Sequence, residues 1–405
     1  MNIVSAEVVV CSPGRNFVTL LVTTDDGLVG VGDATLNGRE LAVASYLQDH
    51  IAPLLVGRDA QAIEGTWQYF YRGAYWRRGP VTMAAIAAVD VALWDIKAQA
   101  AGMPLYQLLG GRSRETIRAY GHAHGRDIAE LADSVRERKE QGFDAVRVQV
   151  GIPGNDPGYG ISGTPGKPRY EPAIAGPRPT EERWDAGSYL RFIPKVFENI
   201  RQEFGDELDL LHDVHHRLTP IEAARLGKSL EPYHPFWLED VTVAENQQSM
   251  RTVREHTTVP LAMGETYNSL VDYLQLIPEQ LIDYVRSAVT HSGGVTGLRR
   301  ILDFAAVYQI RSAAHGPTDI SPIGLAASLH IDVSHHAFGI QEYMQHEETV
   351  FDVFDVGYSF DRGAFQPGER AGLGVVFDQS AAAKHPYKQA YLPVNRLRDG
   401  TVHDW

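Results

Sequence analysis

The chain has little cysteine: Cys11 is the only one among its 405 residues. A single cysteine cannot form an intrachain disulfide, which is typical of proteins from a reducing compartment. The first residues also lack the basic segment of a secretory signal and include an early acid, Glu7. The most apolar helical stretch, residues 83–94, is interrupted by Asp90 and is too short to span a bilayer. We therefore expect a cytoplasmic protein with no membrane partner.

The chain also has fewer basic residues than acidic ones. The 37 lysines and arginines are outnumbered by 51 aspartates and glutamates, which gives a formal net charge of −14. Nonspecific binding to DNA or RNA needs a basic surface, so we expect no nucleic-acid partner. A small anionic substrate is still compatible with this charge, because a metal ion or an arginine cluster can reverse the field inside a cleft.

Two structural patterns divide the chain, which is too long for one ordinary core. Residues 17–22 are β-rich, Asp26-Gly27 predicts a hairpin turn, and a helical pattern follows. Residues 1–115 therefore predict an α+β domain. Residues 116–346 predict a β/α domain, and residues 347–405 predict a segment that packs back across the first domain.

From about Ile117 the pattern alternates between strands and helices. The predicted strands are residues 118–120, 145–150, 208–214, 236–239, 261–264, 283–286, 310–314 and 338–341. This count is typical of a (β/α)8 barrel, so the predicted fold class is α/β. Residues 151–180 are rich in glycine and proline without periodicity, which predicts a functional lid or binding loop.

Three acids recur at equal spacing: Asp213, Glu239 and Glu265 follow one another at intervals of 26 residues. Each closes a short apolar run, so each is predicted at a barrel strand end, and these ends share one rim. Three carboxylates there would repel one another unless a cation lay between them. A lone acid would more simply cap a helix or face solvent, but the triplet predicts a metal site. Its all-oxygen ligands favour Mg²⁺ over Zn²⁺.

Other polar residues fall on the same rim. His215 shares a strand face with the first of these acids, which favours a general acid/base role. His315 closes the seventh strand, where a structural role is as frequent as a functional one, and the shared rim favours function. Arg286 could bind a carboxylate in a fork or pair with a barrel acid. Asp319 and Glu342 are further candidates, each with a capping or ion-pair alternative.

Three residues near this rim are assigned from strand phase. His212 and His216 have the opposite phase to His215, which predicts packing or surface positions for both. Arg147 lies on the second barrel strand and shares a face with Gln149. That strand has no pair of lysines.

Two glycine-rich segments are weighed as anion sites. The glycines of residues 151–163 are interrupted by prolines and open no helix, which argues against a phosphate loop. Ser292-Gly293-Gly294 precedes a helix and could bind an anion at the helix N-terminus. A plain turn is favoured for the second segment.

Several longer stretches resemble the enolase superfamily and, within it, the D-mannonate dehydratase family. They are residues 33–40 (DATLNGRE), 71–80 (YRGAYWRRGP), 211–220 (LHDVHHRLTP) and 315–319 (HGPTD). The resemblance extends over essentially the whole chain. It implies an α+β capping domain over a modified (β/α)8 barrel, with the C-terminal segment returning to the cap.

The resemblance also implies roles for individual residues. Mg²⁺ would be held by Asp213, Glu239 and Glu265. The implied substrate contacts are Asn37, His122, Glu265, Arg286, His315, Asp319 and Glu342.

The implied base is Tyr159, in the long loop after the second barrel strand. A phenol with a pKa near ~10 needs a neighbouring cation to act as a base, and Arg147 would supply it. His215, when protonated, would donate to the departing 3-hydroxyl, and the resulting enol would tautomerise to a 2-keto-3-deoxy acid. Without the resemblance, Tyr159 would be assigned as an aromatic anchor of its loop.

The implied activity is Mg²⁺-dependent dehydration of D-mannonate. D-gluconate or another aldonic acid is an alternative substrate. A racemase with His315 opposite Tyr159, and an inactive sugar-acid-binding homologue, are alternatives of other classes. Barrel enzymes of this kind often associate, so we expect a homo-oligomer. The aromatic residues 69–76 would serve either its interface or packing within the cap.

Overall fold

The computed structural model describes residues 1–155 and 176–405 with their side chains. Between them it describes only the backbone of three short strands. The predicted base Tyr159 lies outside the described residues. No helix in the described part of the chain combines the length and the apolar character that crossing a bilayer needs.

The N-terminal domain, here called the cap, is an antiparallel sheet followed by helices, as predicted. Its elements are β1 (Ile3–Cys11), β2 (Phe17–Thr24), β3 (Val29–Asp33), α1 (Glu40–Tyr46), α2 (Ala52–Leu55), α3 (Ile63–Gly73), α4 (Pro80–Ala100) and α5 (Leu105–Leu108), with a π-helical turn at Leu47–Ile51. The sheet order is β1-β2-β3, and Asp26-Gly27 lies in the turn before β3. Gly32 lets α4 lie close to the sheet, because a Cβ there would be 1.9 Å from the Ala88 carbonyl oxygen.

The central domain alternates strands and helices. In chain order its elements are β4 (Ile117–Gly125), α6 (Ile128–Glu140), β5 (Ala145–Val150), β6 (Ile161–Thr164), β7 (Lys167–Tyr170), β8 (Ile174–Ala175), β9 (Glu181–Arg183), α7 (Ala186–Phe204), β10 (Asp209–Asp213), α8 (Pro220–Leu230), β11 (Trp237–Glu239), α9 (Ser249–Arg254), β12 (Leu261–Met263), β13 (Tyr284–Val285), α10 (Gly294–Val307), β14 (Arg311–Ser312), α11 (Pro322–Ser334) and β15 (Gln341–Glu342). Short 3₁₀ helices lie at Glu231–Tyr233, Leu270–Tyr273 and Glu348–Val350.

Eight of these strands close into a parallel barrel. β4, β5 and β10 to β14 pair in sequence, a bridge joins Ser312 to Phe338, and β15 pairs back with β4. A separate core cluster includes Tyr120 of β4 and Trp237 of β11, whose rings lie 5.4 Å apart. Because these strands are not neighbours, their contact lies in the barrel interior. The predicted (β/α)8 architecture is confirmed, and most strands are shorter than predicted.

The C-terminal segment contacts both of the other domains. Its elements are β16 (Phe354–Val356), β17 (Ser359–Asp361), β18 (Ala364–Gln366), β19 (Val375–Phe377), α12 (Gln379–Ala382), β20 (Ala390–Tyr391), β21 (Val394–Arg396) and β22 (Val402–His403). Towards the cap, the Gly372 carbonyl accepts a hydrogen bond from Leu105 N at 2.8 Å. Towards the central domain, β18 pairs with β4 and β21 pairs with β9.

Two buried cap carboxylates join the cap to the barrel helices. Asp33 Oδ2 accepts from the Ser321 backbone N–H at 2.8 Å, at the start of α11. Asp90 Oδ2 accepts from the Thr296 N–H at 2.9 Å, in the first turn of α10. Each carboxyl group therefore accepts from one of the unpaired N–H groups at the start of a barrel helix. The helix that begins at Gly294, after Ser292-Gly293, thus has one of its first N–H groups bound by Asp90 of the same chain.

Candidate active site

A cavity of about 350 Å³ lies where the barrel mouth, the cap and the C-terminal segment meet. Of the predicted site residues it is lined by Asn37, Arg147, His215, Glu265, His315, Asp319 and Glu342. A more open cavity of about 870 Å³ adjoins it and shares Arg15, and His122 lines that second cavity. The smaller cavity is lined by two acids of the barrel mouth, Glu265 and Glu342, and is therefore the candidate site, although Asp213 and Glu239 do not line it. Its volume suits a small molecule such as a six-carbon acid.

The three predicted acids follow three consecutive barrel strands. Asp213 ends β10 and Glu239 ends β11, and the two are paired residues in the parallel ladder. Glu265 lies two residues beyond β12. Asp213 and Glu239 are fully buried, and the Glu265 side chain is 13% exposed. The three acids therefore lie at the same end of the barrel, as their regular spacing along the chain predicts.

Two guanidinium groups pair with this acidic cluster. Arg147 Nη1 lies 3.0 Å from Asp213 Oδ2. Arg286 Nη2 lies 2.7 Å from Glu239 Oε1 and 2.8 Å from Glu342 Oε2. Arg286 is fully buried and forms the ion pair with barrel acids that the sequence offered as its alternative role. Its contact with a substrate stays a prediction.

The pKa values of the acids report the balance of charge. Burial, only partly offset by Arg286, raises the pKa of Glu239 to about 8. Burial and the neighbouring carboxylates raise the pKa of Glu265 well above its ordinary value. Burial also opposes ionisation of Asp213, but Arg147, His215, Arg217 and Arg286 together outweigh it, and the net pKa is lowered. The cluster therefore has more negative charge than its arginines neutralise, and a divalent cation would correct this.

Two groups of side chains have the spacing of metal ligands. Asp213, Glu239 and Asp240 offer oxygen atoms within 4.8 Å of one another, and so do His216, Asp240 and Glu265 with one atom each. Asp240 follows β11 directly with a φ of +42° and belongs to both groups. The all-oxygen group contains Asp213 and Glu239 of the predicted trio, with Asp240 in place of Glu265. Carboxylate oxygens are the ligands that Mg²⁺ prefers, so the chemistry of this group suits the predicted metal.

His215 occupies a left-handed turn after β10, with a φ of +57°. Its Nδ1 donates to the Trp405 carbonyl oxygen, and its Nε2 lies 3.5 Å from Glu265 Oε1. The indole of Trp405 meets the imidazole edge-on, with ring centroids 4.8 Å apart. Burial lowers the pKa of His215 to about 3, so the imidazole is neutral before a ligand arrives. Its Nε2 lies on the side of Glu265 and the cavity.

The remaining predicted contacts surround Glu265 and Glu342. His315 Nε2 lies 3.4 Å from Glu265 Oε2. His122 Nε2 lies 2.9 Å from Glu342 Oε1, and Glu342 Oε2 accepts from the Gly316 N–H at 3.0 Å. His122 is thus near the site but behind Glu342.

Several residues of the site were missed in the sequence. His216 was assigned to packing or the surface, yet it lines the cavity. Its φ of +62° continues the turn begun by His215, so strand alternation no longer applies. Trp405 also lines the cavity and has no nearby sequence signal. His212 does pack as predicted: its ring nitrogens contact the Val148 carbonyl at 2.8 Å and the Tyr189 hydroxyl at 2.6 Å.

Comparison with known proteins identifies the family of this fold. The enolase C-terminal domain-like family matches residues 130–381, and the mandelate racemase/muconate lactonizing enzyme N-terminal domain matches residues 9–110. A D-galactonate dehydratase family member from Pseudarthrobacter chlorophenolicus is 59% identical over 409 residues, and a D-mannonate dehydratase from Rhizorhabdus wittichii is 58% identical over 405 residues. Each alignment covers 100% of both chains.

A solved structure agrees with the sequence relatives. The crystal structure of an enolase from Pantoea ananatis, with bound D-gluconate and Mg, superposes with a TM-score of 0.91 at 35% identity. The superposition covers 100% of this chain and 99% of that one. The fold, both matching domains and the full-length relatives agree, and the chain belongs to the enolase superfamily.

Proposed function

We propose that this chain catalyses the Mg²⁺-dependent dehydration of D-mannonate to 2-keto-3-deoxy-D-gluconate. The observation that carries the proposal is the cluster of strand-end carboxyl groups: Asp213 and Glu239 are buried, and Glu265 and Glu342 line a cavity of sugar-acid size. The relative from Rhizorhabdus wittichii is named as a D-mannonate dehydratase, and the one from Pseudarthrobacter chlorophenolicus as a member of the D-galactonate dehydratase family. The choice of D-mannonate rests on the relative from Rhizorhabdus wittichii, at 58% identity.

The proposed metal ligands are Asp213, Glu239 and Glu265. When bound, Mg²⁺ would offset the negative charge that develops on the substrate carboxylate as the neighbouring carbon loses its proton. Arg286 donates from two of its nitrogens to one oxygen of Glu239, at 2.7 and 3.0 Å, and so fixes the direction of that carboxylate. Trp237 Nε1 donates to the other Glu239 oxygen at 3.1 Å, which fixes it further.

The proposed reaction removes one proton and one hydroxyl group from adjacent carbons. Tyr159, activated by Arg147, takes the proton from C2, and the electron pair of that bond forms the C2–C3 double bond. The C3–O bond breaks, and the hydroxyl leaves as water with a proton from His215 Nε2. The enol then tautomerises to the 2-keto acid. Because the His215 imidazole is neutral beforehand, its Nε2 must take up a proton from solvent when the substrate binds, and the negative charge of the substrate favours the imidazolium.

D-gluconate is the second candidate substrate. It differs from D-mannonate only in configuration at C2, and the Pantoea ananatis structure contains it together with Mg. The residues lining the cavity can donate to and accept from hydroxyl groups in either configuration. Preference between the epimers therefore depends on how closely the base approaches the C2 proton.

A panel of epimeric sugar acids tests the proposal. Purified protein with Mg²⁺ is incubated with D-mannonate, D-gluconate and D-galactonate, and kcat/KM for formation of the 2-keto-3-deoxy acid is compared. We expect D-mannonate to give the highest value. A higher value for D-gluconate would reassign the substrate, and no product from any acid would reject dehydration.

A variant of the proposed base separates catalysis from binding. We expect Tyr159→Phe to lower kcat by roughly 10²–10⁴-fold, the usual contribution of a general base, and to leave the unfolding midpoint unchanged. Tyr69→Phe, at a half-exposed tyrosine of the cap, is the matched control and should keep full activity. Full activity in Tyr159→Phe would exclude the tyrosine as the base.

A further inference from the structure

Trp405, in the C-terminal segment, contacts the imidazole of His215 in two ways. Its backbone oxygen accepts a hydrogen bond from His215 Nδ1, and its indole meets the imidazole at 81°, with ring centroids 4.8 Å apart. Both side chains line the candidate cavity. The proposed acid is therefore held, at one ring nitrogen and against its ring, by a residue from outside the barrel.

The hydrogen bond to Trp405 determines which nitrogen of His215 carries the hydrogen. A backbone oxygen only accepts, so Nδ1 of the neutral imidazole is the donor and Nε2 keeps the lone pair. Nε2 lies 3.5 Å from Glu265 Oε1, on the side of the cavity. A proton taken up at Nε2 therefore faces the cavity, as a general acid requires.

The backbone next to Trp405 is held by the strands of the C-terminal segment. β21 pairs with β22 on one side and with β9 on the other. Asn395 of β21 is buried, and its Nδ2 donates to the Asp404 backbone oxygen at 2.6 Å. This hydrogen bond fixes the chain directly before Trp405, and with it the oxygen that His215 contacts.

The turn that carries His215 is attached to the same segment. Arg217 Nε donates to the Val214 carbonyl oxygen at 2.8 Å, which closes the turn. The carbonyl oxygen of Arg217 accepts in its turn from His403 Nε2 at 3.0 Å. The imidazole and its partner Trp405 are thus held relative to each other on both sides of their contact.

We propose that Trp405 is the positioning residue of the general acid: its backbone oxygen fixes the tautomer of His215, and its indole fixes the orientation of the ring. Functional histidines are often oriented in this way, by a backbone oxygen or a carboxylate at the nitrogen that does not react. The inference rests on the proposed dehydration and deepens it, because it gives the C-terminal segment a part in proton delivery.

The leaving group decides whether proton delivery matters. A hydroxyl group leaves C3 as water only when it receives a proton, whereas fluoride leaves without one. In both cases the base takes the C2 proton, the electron pair of that bond forms the C2–C3 double bond, and the bond from C3 to oxygen or fluorine breaks. A 3-deoxy-3-fluoro analogue of D-mannonate therefore reports on the rest of the site without the acid.

Rates with the two leaving groups test the role of Trp405. A chain that ends at Asp404, here called the shortened chain, is compared with wild type. We expect dehydration of D-mannonate to fall about 10²-fold, the cost of a catalytic group misplaced by about 1 Å. Release of fluoride from the analogue should change little. Equal losses with both compounds, or full dehydration by the shortened chain, would overturn the proposal.

The tautomer of His215 gives a second readout that needs no turnover. NMR of protein with ¹⁵N-labelled histidine detects the imidazole nitrogens, and His215→Gln identifies the His215 signals. We expect the hydrogen on Nδ1 in wild type and loss of this preference in the shortened chain. An unchanged tautomer there would overturn the proposal. If the tautomer changes as expected but wild type converts neither compound, only the dehydration is rejected.

Two further variants are matched controls. Trp405→Phe keeps the backbone oxygen and an aromatic ring, so the Nδ1 hydrogen should remain and dehydration should fall far less than in the shortened chain. Val402→Ala changes a side chain of the same segment that is 59% exposed, and both readouts should stay at wild-type values. A loss in Val402→Ala as large as that in the shortened chain would show that disturbance of the segment, and not Trp405, is the cause.

Discussion

At the scale of single residues, the site depends on how buried charges are paired. Arg286 lies between Glu239 and Glu342, at 2.7 and 2.8 Å, and all three side chains are 0–1% exposed. Burial opposes ionisation of Glu342, yet Arg286 and His122 hold its pKa well below the ordinary value. Arg286 therefore helps to keep Glu342 ionised inside the barrel, whereas it only partly offsets the burial that raises the pKa of Glu239.

Removing that guanidinium should destabilise the fold. We expect Arg286→Met to lower the free energy of unfolding by about 3–5 kcal/mol, because two buried carboxylates lose their shared cation. A carboxyl whose folded pKa is depressed contributes stability above its ordinary pKa and loses it as the pH falls. The deficit should therefore shrink as the pH approaches 4. Urea denaturation at pH 8, 6 and 4 measures it.

An exposed ion pair provides the control for this variant. Arg251 makes two 2.6 Å contacts with Glu279, and both side chains are about two-fifths exposed. Arg251→Met should change the free energy of unfolding far less than Arg286→Met at every pH, since solvent screens such pairs. An equal loss in both variants would show that burial of Arg286 is not the cause.

Residues that stay on strands could be predicted from the sequence, whereas residues on the turns beyond them could not. Asp213 and Glu239 end regular strands, so an apolar run followed by an acid was sufficient to find them. His216 and Asp240 have positive φ values, a conformation that L-residues seldom adopt and that composition alone does not reveal. Turn geometry thus adds two ligand candidates to the three acids that the spacing predicted.

At the scale of elements, the cap helix α4 is attached to the barrel through α10. Asp90 of α4 accepts from Thr296 N, and Trp94 Nε1 donates to Thr296 Oγ1 at 2.9 Å. Gly294 at the start of α10 has a φ of +77°, and a Cβ there would lie 2.5 Å from Asp90 Oδ2. The two glycines flagged in the sequence therefore permit close contact between these helices.

The carboxyl group of Asp90 should make this junction sensitive to pH. Burial raises its pKa from 3.8 to about 7. A raised folded pKa gives stability that is fully present below the ordinary pKa and is lost as the pH rises through about 7. Between pH 5 and 8, the free energy of unfolding of the wild type should fall by about 2–3 kcal/mol relative to that of Asp90→Asn. One pKa unit corresponds to about 1.4 kcal/mol. Parallel denaturation curves for both proteins test this. A constant difference would exclude the raised pKa.

Secondary structure was predicted best where packing constrains both faces of an element. The predicted strand at 145–150 coincides with β5, all of whose residues are buried. The segment between β12 and β13 instead contains only a short 3₁₀ helix, Leu270–Tyr273. Its Ser269 and Asp272 form a capping box. This is a local signal of polar residues, which the periodicity of apolar residues does not reveal.

At the scale of the whole molecule, the candidate site needs all three parts of the chain. Asn37 of the cap, His215 of the barrel and Trp405 of the C-terminal segment line one cavity. The sequence predicted that the C-terminal segment returns to the cap, and Gly372 makes such a contact. Contacts 190 residues apart, such as that between His215 and Trp405, leave no local pattern, so this wall of the site was not predicted.

The aromatic residues of the cap bear on self-association. Tyr75 is 78% exposed and Trp76 is 85% exposed, so neither packs within the cap. Exposed aromatic side chains of this size are typical of interfaces between proteins. We expect the purified protein to have a mass that is a multiple of the single chain by light scattering, and Trp76→Ser to lower it. A monomeric wild type would contradict the expectation.

The dependence of turnover on Mg²⁺ tests the central claim most directly. Protein stripped with chelator is given D-mannonate, and formation of the 2-keto-3-deoxy acid is followed before and after Mg²⁺ is added. We predict no turnover without metal, recovery with Mg²⁺, and a rate at least about 100-fold lower for Asp213→Asn with Mg²⁺ present. Turnover at the same rate in the stripped protein, or in Asp213→Asn, would contradict the account.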